Sequence, residues 1–218
     1  RATDGNPLLL LQLLRALALE KVKPDAAHTE TVIAIGSRAI GSLVTLRLRR
    51  LPGQASAVAK AVSVLGDRAE LPVVAALVGA SEQDVADAVA ALARAELLTD
   101  EYPLGFVHPL VAEAVYQSLG AGEQASLHES AAQLLLDSGH PAEQVAVHLM
   151  KAPRRGRPET VDLLLRAADQ AESRGSLEAA TTFLRRALEE PPPEDDVVDL
   201  LVRTAVLGGT RDGVFARQ

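Results

Sequence analysis

The chain has 218 residues, 48% of them apolar but only 2% aromatic, and carries a formal net charge of −7. That is enough apolar material for one large domain or two to three small ones, with cores built from Leu, Ala and Val, which favours an all-α fold. The absence of cysteine excludes disulfide frameworks, thiolate metal sites and thiol redox chemistry, and the acidic balance opposes the broad attraction to phosphate that non-specific nucleic-acid binders need.

The first predicted helix opens at Gly5-Asn6-Pro7 and runs to about Glu20, with Asn as N-cap, Pro at the first helical position, and Leu10, Leu13, Leu14 and Leu17 on one face. Its apolar run from Leu8 to Leu19 is broken by Gln12 and Arg15 and falls short of the roughly 20 residues of a membrane span. A soluble, cytoplasmic protein with no membrane partner is therefore expected. Residues 21–39, with Pro24 and Gly36, read as a loop or weak helix. A second helix follows from Ile40 to Leu51, ending in Arg47, Arg49 and Arg50, cations suited to the negative end of a helix dipole. Pro52-Gly53 reads as a domain joint.

Helices are predicted at 54–65, 70–79 and 82–95, the last with a capping box at Ser81 and Asp84. Two short β-like runs within 97–107, turning at Asp100-Glu101-Tyr102-Pro103, read as a small hairpin. Pro109 then starts a helix to about Leu119. Three helices followed by a hairpin are the outline of a winged helix. Further helices are predicted at 123–138, 141–151, 159–174 and 177–189, and from about Asp195. The Arg-rich run Pro153 to Pro158 reads as a linker. Residues 159–192 form a helical hairpin turned at Gly175, in which Ala180, Leu184, Ala187 and Pro192 have the spacing of half a tetratricopeptide repeat.

Few residues offer chemistry. Gly36 to Gly41 has the glycine spacing of a phosphate-binding loop, but Ser42-Leu43 replaces its Lys and hydroxyl, so it reads as a decoy. His128-Glu129 begins like the zinc helix H-E-x-x-H, but Ala132 stands in place of the second imidazole, leaving His128 as a surface residue. Neither G-x-S-x-G nor G-x-G-x-x-G occurs. The chain is expected not to be an enzyme by itself and to contain no catalytic or metal site.

Three segments in order carry a resemblance: Asp4-Gly5-Asn6-Pro7-Leu8-Leu9-Leu10, the stretch from Leu104-Gly105-Phe106-Val107-His108-Pro109 to Tyr116, and Val147-His148-Leu149. Together they resemble the large ATP-binding regulators of the LuxR family and, more broadly, STAND-type signal-transduction ATPases. The resemblance spans essentially the whole chain. It implies AAA-type lid helices over 1–51, a winged-helix domain over 52–120 and a TPR-like helical region over 121–218. It also implies that Gly5, Asn6 and Pro7 lie against a bound nucleotide and that His108 contacts the ADP phosphates. The plain alternatives are a helix cap for the first three and a capping or core histidine for His108. As a nucleotide contact, the His108 ring is expected to face a neighbouring ATPase domain and to matter little for the stability of this chain.

Residue 1 is Arg and the only Met is Met150, so the chain is expected to belong to a longer gene product. The resemblance then places ATP/ADP in that parent only, with an ATPase domain preceding in cis. It places an inducer or protein partner on the C-terminal helices, and DNA contact in a further helix-turn-helix. The implied function is regulatory, coupling nucleotide state to transcription activation. A free-standing helical interaction scaffold and a winged-helix DNA-binding protein are the alternatives. The second is opposed by its own reading helix, which offers Arg94 against Glu82, Asp84 and Asp87.

Overall fold

A computed structural model describes residues 11, 14, 15, 17–19, 29–66, 69–190, 197, 198 and 200–207, with the backbone alone over 29–38. The chain is mostly helical, and among the described residues there is no strand or sheet. It divides into two compact units, residues 1–123 and 124–218.

In the first unit, α1 (Thr29–Leu48), α2 (Ala55–Leu65), α3 (Leu71–Val78), α4 (Glu82–Arg94) and α5 (Pro109–Gln117) share one core. Helix α1 starts well before the predicted Ile40. No proline follows Pro24 until Pro52, and Ile40, Val44 and Leu48, spaced by one helical turn, are all buried, so packing outweighs the poor propensity of Gly36 and Gly41. The glycine pair of the decoy phosphate loop thus lies inside a helix, whose amides are already committed to the backbone ladder.

Ends are marked as the sequence suggests. The Ser81 hydroxyl accepts from Asp84 N–H at 3.1 Å and caps α4. Gly79 closes α3 at φ 67°, a left-handed conformation that glycine adopts without steric cost. The hairpin predicted within 97–107 is reduced to isolated antiparallel bridges, Leu98 with Phe106 and, not foreseen, Ala69 with Leu104. Thr99 N–H donates to Gly105 O at 2.9 Å, Val107 N–H to Leu97 O at 3.2 Å and Leu104 N–H to Ala69 O at 2.9 Å. Leu97, Leu98 and Leu104 are fully buried, so this segment is fastened by core side chains more than by a ladder. Helix α5 packs on α1 and α2. The residues on either side of the predicted joint at Pro52-Gly53 therefore contribute to a single core.

The second unit contains most of α6 (Ala121–Asp137), followed by α7 (Ala142–Leu149), α8 (Pro158–Ser173), α9 (Leu177–Glu189) and helical residues at 197, 198 and 200–207. Helices α8 and α9 form the predicted hairpin, turned at Gly175 with φ 76°. Ala167, Ala168, Ala171, Ala180 and Ala187 are completely buried along it. Alanines lose no side-chain entropy on burial and let the two backbones approach closely, while Leu164, Phe183, Leu184 and Leu200 fill the remaining space. Of the repeat-like positions, Ala180, Leu184 and Ala187 all lie in this core; Pro192 lies outside the described residues.

Candidate functional site

Gly5, Asn6 and Pro7 lie outside the described residues. His108 is the N-cap of α5: its backbone is extended, and its Nδ1 accepts from Leu110 N–H at 3.0 Å. The residue is only 8% exposed. It therefore stands where the capping alternative put it. The expectation of an outward-facing ring gives way because Pro109 leaves the first turn without one N–H and the imidazole folds back over the next.

His128 differs more sharply from its reading as a surface residue. It is 2% exposed, and its Nδ1 lies 2.9 Å from Nδ1 of His148, itself 5% exposed. The ring centroids are 5.1 Å apart, at an interplanar angle of 41°. With both rings neutral, one Nδ1 donates its proton and the other accepts, so this contact satisfies one nitrogen of each ring within the core. Burial, and for His128 also the neighbouring His148, pushes both basicities down to about 4, with Lys151 adding to the effect. Periodicity missed this contact because it joins two helices across 20 residues of sequence.

The run read as a linker, Pro153 to Pro158, is a strap tied down at several points. Arg155 grips the Glu129 carboxylate in bidentate fashion, Nε to Oε1 at 3.1 Å and Nη2 to Oε2 at 2.8 Å. Arg157 approaches the same carboxylate at 3.6 Å, and Arg154 pairs with Glu189. The Arg155 hydrogen bonds hold the Glu129 carboxyl below its ordinary range against a smaller opposing effect of burial, helped by the charges of Arg155 and Arg157. From the other side, Glu190 Oε2 accepts the N–H groups of Arg155 at 3.1 Å and Gly156 at 2.5 Å. Its Oε1 lies 2.6 Å from Arg186 Nη1, the two side chains being 1% and 4% exposed. This last is a charge contact without hydrogen-bond alignment, since neither Nη1 nor Nη2 of Arg186 meets an acceptor at hydrogen-bonding geometry.

The strap forms one wall of a cavity of about 510 Å³, whose other walls come from α6, α7 and α8. Leu136, Val145, Leu149 and Leu163 are among its apolar lining residues; Glu129, Arg155, Arg157 and Thr160 are among its polar ones. The size and the mixture of apolar side chains with a few polar groups suit a small organic ligand. Of these residues the sequence singles out Glu129 only beside His128, and the arginines only as part of a linker. The signal that would have joined them is Glu129 on a helix together with an excess of arginine in the strap. Among the described residues there is no group of three or more His, Asp or Glu side chains placed to hold a metal ion, and no helix long and apolar enough to cross a membrane.

No protein family, curated protein or solved structure matches the chain.

Proposed function

We propose that the chain is a regulatory, non-catalytic part of an ATP-dependent transcription regulator of the LuxR family. In this reading, ATP or ADP is held by an ATPase domain in cis with help from Gly5, Asn6, Pro7 and His108. The first unit is the lid and winged helix and the second the beginning of a TPR-like array. An inducer or protein partner acts on the C-terminal helices, and DNA is read elsewhere in the parent, in the cytoplasm. The observation that carries the reading is the folded form of the segment from Leu104 to Tyr116, the longest of the three resemblance segments. It runs from a bridged, buried Leu104 into a helix whose N-cap is His108. The positive end of the helix that His108 caps is the kind of place that favours an approaching phosphate.

The test has two arms. The gene encoding this chain is expected to carry G-x-x-x-x-G-K-S/T upstream, and a gene without it overturns the reading. Calorimetry on the 218-residue chain is expected to detect no micromolar ATP binding, because triphosphate affinity derives chiefly from a P-loop and its magnesium ion. Tight binding by the chain alone would refute the division of labour.

The interaction-scaffold reading is favoured by one observation. Val198, Leu201, Val202 and Val206, at helical spacing in the sequence, are each more than half exposed. The DNA-reader alternative gains nothing: on α4, Arg94 donates to its own helix at Ala90 O, among exposed Glu82, Asp84 and Asp87.

A further inference from the structure

We propose that the cavity of the second unit binds a small amphiphilic anion, a carboxylate or similar acid on an apolar body, with Arg157 receiving the charge. The proposal deepens the effector side of the regulatory reading and rests on it for its biological purpose, though the binding itself depends only on the cavity.

Three features converge on that chemistry. The cavity, about 510 Å³, is of the size that takes a drug-sized ligand, and Leu136, Leu149 and Leu163 give it apolar lining. Its two cations are not equally engaged. Arg155 is committed to Glu129 through two hydrogen bonds. The Arg157 contact with Glu129, at 3.6 Å, is beyond hydrogen-bond range, and among the described residues no other partner is recorded for its guanidinium, which is 57% exposed. Finally, Arg157 is itself the N-cap residue of α8, a helix of 16 residues whose first-turn residues Glu159 and Thr160 also line the cavity, so the positive end of that dipole lies at the cavity wall. Glu129 and Glu159 are the acidic lining residues. Glu129 is neutralised by Arg155, and Glu159 lies in the first turn of α8, where the dipole offsets it. Arg157 is left as the group with unused donors, and a ligand with an apolar body and an anionic head satisfies both the apolar lining and that cation.

The experiment uses the whole chain and two fluorescent probes of closely similar apolar body: anilinonaphthalene sulfonate, which is anionic, and N-phenyl-1-naphthylamine, which is neutral. Saturable binding of the sulfonate, displaced by decanoate more effectively than by decanol, is expected. Arg157→Ala, an exposed position that leaves the core intact, should weaken the sulfonate about tenfold, the size of one lost charge-assisted contact, while leaving the neutral probe unchanged. Ser130→Trp, which directs an indole into the cavity from an exposed lining position, should abolish both, with circular dichroism verifying that the helices persist. Equal sulfonate affinity in wild type and Arg157→Ala overturns the assignment of the anion. Undiminished binding of both probes to a folded Ser130→Trp variant, or no saturable binding at all, overturns the site. A gene without the phosphate-loop motif would sink the ATP-dependent reading and leave these outcomes untouched, so the two failures are distinguishable.

Discussion

Removing the His108 ring takes the acceptor from Leu110 N–H and leaves a void at the start of α5. His108→Ala is therefore expected to destabilise the chain by about 2 kcal/mol, the upper range for a lost N-cap, read as a lowered urea midpoint. Asn keeps an acceptor at the cap, so His108→Asn should recover about half of that. An alanine variant as stable as wild type would remove the capping role. The two buried histidines make a different prediction. Their folded basicities are held down to about 4, against 6.5 for free imidazole. Between those values the unfolded chain binds more protons than the folded one, so stability falls as pH is lowered through that window; above about 6.5 these rings contribute no slope. A loss on the order of 3 kcal/mol between pH 7 and pH 5 is expected, and the double variant His128→Leu with His148→Leu should flatten it. A slope unchanged in that variant would assign it to the carboxylates instead.

At the scale of elements, the strap is held by a buried charge pair whose two members are not equivalent. Glu190 has three partners: Arg186 and the N–H groups of Arg155 and Gly156. Glu190→Ala leaves the Arg186 charge buried and loosens the strap, with an expected cost of about 3 to 5 kcal/mol. Arg186→Met leaves a carboxylate that still accepts two N–H bonds and replaces the guanidinium with apolar volume, so it should cost distinctly less. Thermal melting gives the order, and a reversed order would mean that the guanidinium organises the strap rather than the carboxylate. Why the helices were readable in the sequence and the strap was not follows from the range of their forces. Ser81 with Asp84, Pro109 and Gly175 act within one turn of themselves, and α9 matches its predicted span residue for residue. The strap is specified by Glu129 and Glu190, which lie 26 and 35 residues from Arg155. An Arg, Gly and Pro run without those partners in view has the composition of a linker. Likewise, α1 was underestimated because burial of Ile40, Val44 and Leu48 depends on a core that propensity does not see.

Over the whole molecule, each of the two compact units has its own core: one gathered around Val58, Leu92 and Leu104, the other around Leu164, Ala167 and Leu184. The division at residue 123 falls in the first turn of α6, close to the boundary at 120 that the sequence suggested. Lys60 with Glu123, at 2.8 Å, joins the start of α6 to α2. Both side chains are partly exposed, and such a pair contributes less than about 1 kcal/mol. Cutting after Gly120 takes Glu123 away from Lys60 and leaves all of α6 with the second piece. Residues 1–120 and 121–218, expressed apart, should each unfold cooperatively, and their circular dichroism spectra should add to that of the intact chain. The pH response sharpens the test. His128 and His148 both lie in the second piece, so the loss of stability between pH 7 and pH 5 assigned to them should follow 121–218 and be absent from the matching share of 1–120. A second piece that melts without cooperativity, or one that folds but lacks the slope, would show that its core or its histidine pair depends on the first unit.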